Sequence, residues 1–77
     1  MNSLQEQIQA VVESHLKTAT RPTDDLYAEV LTAVEKGLLK AVMARVGNIS
    51  KAALWLGINR ATLRKKLRMH GLSEWNC

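Results

Sequence analysis

A chain of 77 residues makes one small domain, below two-domain length and too short for an enzyme that encloses its own catalytic cleft. It is 47% hydrophobic with three aromatic side chains, Trp55, Trp75 and Tyr27, an aliphatic helical composition that excludes disordered and collagen-like classes. The net charge of +4 is uneven: residues 1–47 hold five basic and six acidic side chains, whereas 48–77 hold six basic ones against Glu74 alone.

Ser3-Leu4-Gln5-Glu6 has the form of a capping box, in which the Ser3 hydroxyl accepts from an early helical amide while Glu6 reaches back to the Ser3 amide. Leu4, Ile8, Val11, Val12 and Leu16 follow at spacings of three and four, so a first helix is predicted over about 4–18. Pro22 ends that pattern, because it has no N–H to donate and disfavours helix at the residue before it. Thr23 then offers an N-cap, and Asp24 and Asp25 place acids at the positive end of a new helix dipole.

The second helix, from about residue 24 to the stop signal Gly47-Asn48, carries more than one apolar stripe. Leu26, Tyr27, Val30, Leu31, Val34, Leu38, Leu39, Ala41, Val42 and Val46 cover more surface than docking against one neighbour needs. Two packing partners are expected, and a chain this short enlarges its core most simply by association with another copy. Gly37 in mid-helix costs roughly 1 kcal/mol relative to alanine and marks either a kink or a close helix crossing.

Asn48 caps a short third helix of about 49–56, which ends at Gly57 where a left-handed residue is usual. Asn59 caps a fourth helix from Arg60 to about His70, closed by Gly71. The organisation expected is therefore all-α with four helices per chain: an N-terminal helix pair over 4–46, a helix-turn-helix over 48–71 and a tail over 72–77.

The helix-turn-helix reading rests on particular residues. Ala52 and Ala53 are small enough for close helix packing, Gly57 turns sharply without a Cβ clash, and Ile58, Leu63 and Leu67 fill the shared core. At 100° per residue Leu63 and Leu67 lie about 40° apart, with Ala61, Thr62, Lys65, Arg68 and Met69 facing broadly away. A cationic front on an apolar back suits the DNA major groove, where arginine forks onto guanine O6 and N7 and asparagine pairs with adenine. Because the N-terminal residues of such a helix read bases, Asn59 and Arg60 are the first candidates, with Arg64 one turn on. Thr62, Lys65, Lys66 and Arg68 are phosphate candidates, joined by Asn48 and Ser50 at the opening of the third helix.

The run Ala52-Ala53-Leu54 followed by Gly57-Ile58-Asn59-Arg60-Ala61-Thr62-Leu63-Arg64-Lys65-Lys66-Leu67 resembles the Fis family (factor for inversion stimulation). Asp25-Leu26-Tyr27 and Leu38-Leu39 fit the longer helix of that family, and the likeness extends from about residue 4 to 72. It implies a homodimer with the N-terminal helix pairs interlocked as a dimer core, each protomer presenting a helix-turn-helix to double-stranded DNA. It further implies paired recognition helices closer than one turn of straight B-DNA, so that binding bends the duplex and its shape contributes to site choice. By position, the base-reading pair of the family falls on Asn59 and Arg60, and its other DNA contacts on Thr62, Arg64, Lys65, Asn48 and Ser50. Gly37 stands where the family often has a kinking proline, and Val46 and Met69 stand where enteric members have basic DNA contacts, so weaker contact with flanking DNA is expected. Enteric members also carry an arm before the first helix that activates DNA invertases; this sequence starts at that helix, and no recombinase activation is expected.

The expected role is that of a nucleoid-associated transcriptional regulator in the cytoplasm, with RNA polymerase as a candidate protein partner. No cofactor or metal is expected, since His15 and His70 lack Cys or acidic partners at ligand spacing. The start has no signal-peptide pattern and no transmembrane run appears. Cys77, the single cysteine, permits no intrachain disulfide, and Trp55 reads as a packing or interface residue. No nucleophile with a base, paired carboxylates or Gly-rich phosphate loop supports an enzyme. The competing class is a helical dimerisation or adaptor module whose basic end meets an acidic protein. Steep salt dependence with duplex DNA separates the two.

Overall fold

A computed structural model of the chain describes residues 3–19 and 25–72. Among them are four α-helices and no strand: α1 (Leu4–Leu16), α2 (Leu26–Val46), α3 (Ile49–Leu56) and α4 (Arg60–Met69). The all-α, four-helix expectation holds, with helix ends within two residues of those predicted from periodicity, the usual scatter for fraying termini. The expected caps Thr23 and Asp24 lie outside the described residues, as do Trp75 and Cys77. No described helix is long and apolar enough to cross a membrane.

The chain divides into two compact units, Met1–Val30 and Leu31–Cys77. In the first, the capping box forms as expected: the Glu6 amide donates to Ser3 Oγ at 3.1 Å and the Ser3 amide donates to Glu6 Oε1 at 2.9 Å. The Ser3 amide first, and the Ser3 hydroxyl second, hold the Glu6 carboxyl below its usual range by hydrogen bonding. His15 Nε2 lies 3.2 Å from Glu29 Oε1, with both side chains more than half exposed, so the pair contributes little to stability. No residue of α1 is buried. Leu4 is 73% exposed, Val11 70% and Tyr27 80%, so this apolar surface is left open among the described residues.

In the second unit Leu39 and Met43 of α2 pack with Ile49, Ala52 and Ala53 of α3, Leu63 and Leu67 of α4, and Leu72. Val42, Val46, Leu56 and Ile58 pack against that cluster. Leu39, Val42, Met43 and Val46 share one face of α2. Leu31, Val34 and Leu38, each exposed, form a second stripe roughly 100° round the helix. The breadth of apolar positions read from the sequence thus resolves into one stripe filled by this unit and one left open. A Cβ placed on Gly37 meets nothing within 4 Å, so among the described residues no helix crosses closely at this glycine.

The stops of α2, α3 and α4 are all built on left-handed glycines, Gly47 (φ 64°) following α2. Gly57 (φ 72°) ends α3 and Gly71 (φ 71°) follows α4. The Ile58 amide donates to the Ala53 carbonyl at 3.1 Å and the Leu72 amide to the Leu67 carbonyl at 2.7 Å, the bond that closes a Schellman turn. That second turn carries Leu72 into the core, where it is 5% exposed. The tail expected from residue 72 therefore loses its first member, because the turn's apolar residue packs back on the helix it terminates.

Candidate nucleic-acid interface

The interface lies wholly within the second unit, on the outer side of α3, the turn 57–59 and α4. Each of the two short helices begins on an asparagine. Asn48 Oδ1 accepts from the Lys51 amide at 3.1 Å and Asn59 Oδ1 accepts from the Ala61 amide at 2.7 Å. Both caps use the carboxamide oxygen, which leaves each NH2 group able to donate elsewhere. Between the helices, Gly57 takes a backbone conformation that a side chain strains, although a Cβ there would meet nothing within 4 Å. The turn therefore demands glycine for its dihedral angles rather than for space.

On α4 the buried residues are Leu63 and Leu67. Arg60, Ala61, Thr62, Arg64, Lys65, Arg68 and Met69 are exposed, so every polar candidate except Lys66 lies either on this outer face or at the opening of α3 or α4. Arg60, Arg64 and Arg68 follow at intervals of four, one row along the helix. Among the described residues, no acidic side chain forms an ion pair with Arg60, Arg64, Lys65 or Arg68. Their charge is available to an anion.

Lys66 is placed differently. Its Nζ lies 2.8 Å from Glu35 Oε2 on α2, and His70 Nε2 lies 2.7 Å from the other oxygen, Glu35 Oε1. The Lys66 and His70 hydrogen bonds hold the Glu35 carboxyl below its usual range. Of the phosphate candidates, Lys66 is the one that forms an ion pair among the described residues, with its ammonium turned toward α2.

Two contacts have no sequence signal. Arg60 Nη1 donates to Ser50 Oγ at 3.2 Å, joining the start of α4 to the start of α3. The Arg45 guanidinium carbon stands 6.0 Å from the centre of the Trp55 ring, a cation–π distance. Trp55 is 63% exposed, so packing within the chain covers only the smaller part of it. Among the described residues no group of three or more His, Cys, Asp or Glu side chains is placed to hold a metal ion.

Two short capped helices, a glycine turn and a cationic outer face over an apolar back define a helix-turn-helix protein. The sequence profile described as "Bacterial regulatory protein, Fis family" matches residues 30–70. The DNA-binding protein Fis of Photobacterium profundum is 40% identical over 72 residues, covering 91% of this chain and 74% of that protein. Those of Escherichia coli and Serratia proteamaculans are each 53% identical over 51 residues, covering 65% of this chain and 52% of the relative. The chain belongs to the Fis family, although the match spans only about half the length of these last relatives. No solved structure matches it significantly.

Proposed function

We propose that this chain binds and bends double-stranded DNA as a homodimer and acts as a nucleoid-associated transcriptional regulator. The observation that carries the reading is the row of cations on the outer face of α4 that form no ion pair among the described residues, set on a buried Leu63/Leu67 back in a chain of the Fis family. Asn59, Arg60 and Arg64 read base edges, since they occupy the start of the helix that enters the major groove. Asn48, Ser50, Thr62, Lys65 and Arg68 hold phosphates on either side and set the register. Lys66 serves the fold through Glu35.

The homodimer is supported by the open apolar surfaces. Leu4, Val11, Leu16 and Tyr27 in one unit and Leu31, Val34 and Leu38 in the other are exposed within a single chain. Exposed apolar surface of this extent on a short chain supports association. Two copies present two recognition helices, and where these stand closer than about 34 Å, one turn of B-DNA, the duplex must bend to meet both. In this role the protein performs no chemistry of its own and works in the cytoplasm at the nucleoid, with RNA polymerase as the protein partner a regulator would contact.

Gel mobility of circularly permuted duplexes carrying a pseudo-palindromic site, with sedimentation of the free protein, tests this reading. A dimer giving position-dependent mobility is expected. Binding with position-independent mobility rejects bending, a monomeric free protein rejects the dimer, and no binding at low salt favours an adaptor for an acidic protein.

A further inference from the structure

The hydrogen bond between Arg60 and Ser50 joins the starts of two capped helices. Ser50 is the second residue of α3, whose backbone is fixed by Asn48, and Arg60 is the first residue of α4, fixed by Asn59. Ser50 Oγ accepts from Arg60 Nη1 at 3.2 Å, although the two residues are ten positions apart and both exposed. An arginine at the exposed tip of a helix ordinarily samples many rotamers, and a base contact must then order it on binding. Here one guanidinium nitrogen already has a partner on the neighbouring helix. The group has five N–H donors in a fixed plane, so one bond to Ser50 leaves enough of the fork for a bidentate contact with guanine O6 and N7.

We propose that Ser50 is a positioning residue for specificity: its hydroxyl oxygen holds the Arg60 guanidinium in place, so that Ser50 governs discrimination between sites without itself touching a base. The proposal rests on the reading of Arg60 as a base reader. A hydroxyl that accepts from arginine keeps its own proton to donate, so Ser50 remains able to contact a phosphate. Positioning nevertheless makes a separate claim, because a phosphate contact affects all sequences alike, whereas an ordered arginine affects their ratio.

The test is a double-mutant cycle on the full chain, measuring affinity for one good site and one variant with the guanine opposite Arg60 replaced. Ser50→Ala is expected to shrink the ratio of the two affinities by about threefold to tenfold, the scale of one ordinary hydrogen bond. Ser50→Thr, which restores a hydroxyl, is expected to recover it. In an Arg60→Ala background, Ser50→Ala should leave the ratio unchanged, since nothing remains to position. Circular dichroism melting of each variant keeps folding defects apart from recognition. Equal weakening of both sites by Ser50→Ala, with Arg60→Ala still collapsing the ratio, overturns the positioning role alone. An Arg60→Ala protein that retains the full ratio overturns base reading by Arg60, and the role of Ser50 with it.

Discussion

One carboxylate, Glu35 on α2, receives two side chains that stand one turn apart at the C-terminal end of α4, Lys66 Nζ at 2.8 Å and Nε2 of the capping His70 at 2.7 Å. The bond to His70 is well shielded, with the His70 side chain 8% exposed. This fastens the C-terminal turn of the recognition helix to the long helix beneath it. It also divides two adjacent lysines between roles: Lys65 faces outward and Lys66 faces Glu35.

Replacement of the two lysines therefore has different consequences. Lys65→Ala should weaken binding to all duplexes by a similar factor and lower the salt slope, log K against log salt, by about 0.9, the share of a single neutralised phosphate. Lys66→Ala should leave that slope nearly unchanged and lower the melting temperature instead. Anisotropy titrations at several salt concentrations, with thermal melts alongside, check both halves.

Glu35 makes the fold sensitive to acid. Its carboxyl is held below the usual range by Lys66 and His70, so the folded state favours the ionised form. For a depressed carboxylate the stabilisation is fully present above the unfolded value and is lost as pH falls through the folded one. Stability should decline as acidification enters the ordinary glutamate range and should go on declining below it, down through the folded value. Glu35→Gln should be less stable near neutral pH and show a shallower decline in acid, as read from denaturant midpoints across pH 2 to 6, roughly the range over which carboxylates titrate. An unchanged pH profile in Glu35→Gln would show that the linkage lies elsewhere.

Asn59 has two separable functions in this account, the cap through Oδ1 and base contact through the amide. Asn59→Ala removes both, at a cost of about 1 kcal/mol in stability for the missing cap. Asn59→Asp keeps an oxygen acceptor for the Ala61 amide but replaces the NH2 donor with negative charge. It should melt close to the parent and still lose most of its DNA affinity, as thermal melts and duplex titrations of the two variants would show.

The same substitution at two glycines should have opposite signs. At Gly37, within α2 and with open space around its Cβ position, alanine should stabilise by about 0.5–1 kcal/mol through helix propensity and reduced unfolded-state entropy. At Gly57, whose φ is 72°, alanine should destabilise by a similar amount, roughly 1 kcal/mol. Denaturant midpoints read both signs. A destabilising Gly37→Ala would place the backbone of a second chain against that position.

Local signals carry most of the fold. The Ser3/Glu6 box, the Asn48 and Asn59 caps, Gly57 and Gly71 each depend on a few neighbouring residues, and each stands where periodicity and capping rules put it. Met43 escapes the apolar reading of α2 although it lies four residues after Leu39 and is 1% exposed, because a stripe traced through leucines and valines passes over it. Helical spacing puts Ile49 inside its helix but not in the core. Leu72 joins the core through a turn that folds the chain back, beyond the reach of helical spacing. On the candidate interface, the outer face of α4 is legible from spacing alone. The Glu35–Lys66–His70 cluster and the Ser50–Arg60 bond are not, because they join residues whose proximity depends on how helices pack.

The most direct measurement is equilibrium binding of the chain to a short labelled duplex from low to moderate salt, in parallel with a variant in which Arg60, Arg64, Lys65 and Arg68 are all alanine. The account predicts tight binding that falls steeply and linearly on logarithmic axes, with a slope of about −0.9 for each phosphate neutralised. It also predicts a folded variant with binding and slope largely abolished. Equal affinity and slope in the two proteins, or no duplex binding by the parent at low salt, would contradict the assignment of this face to DNA.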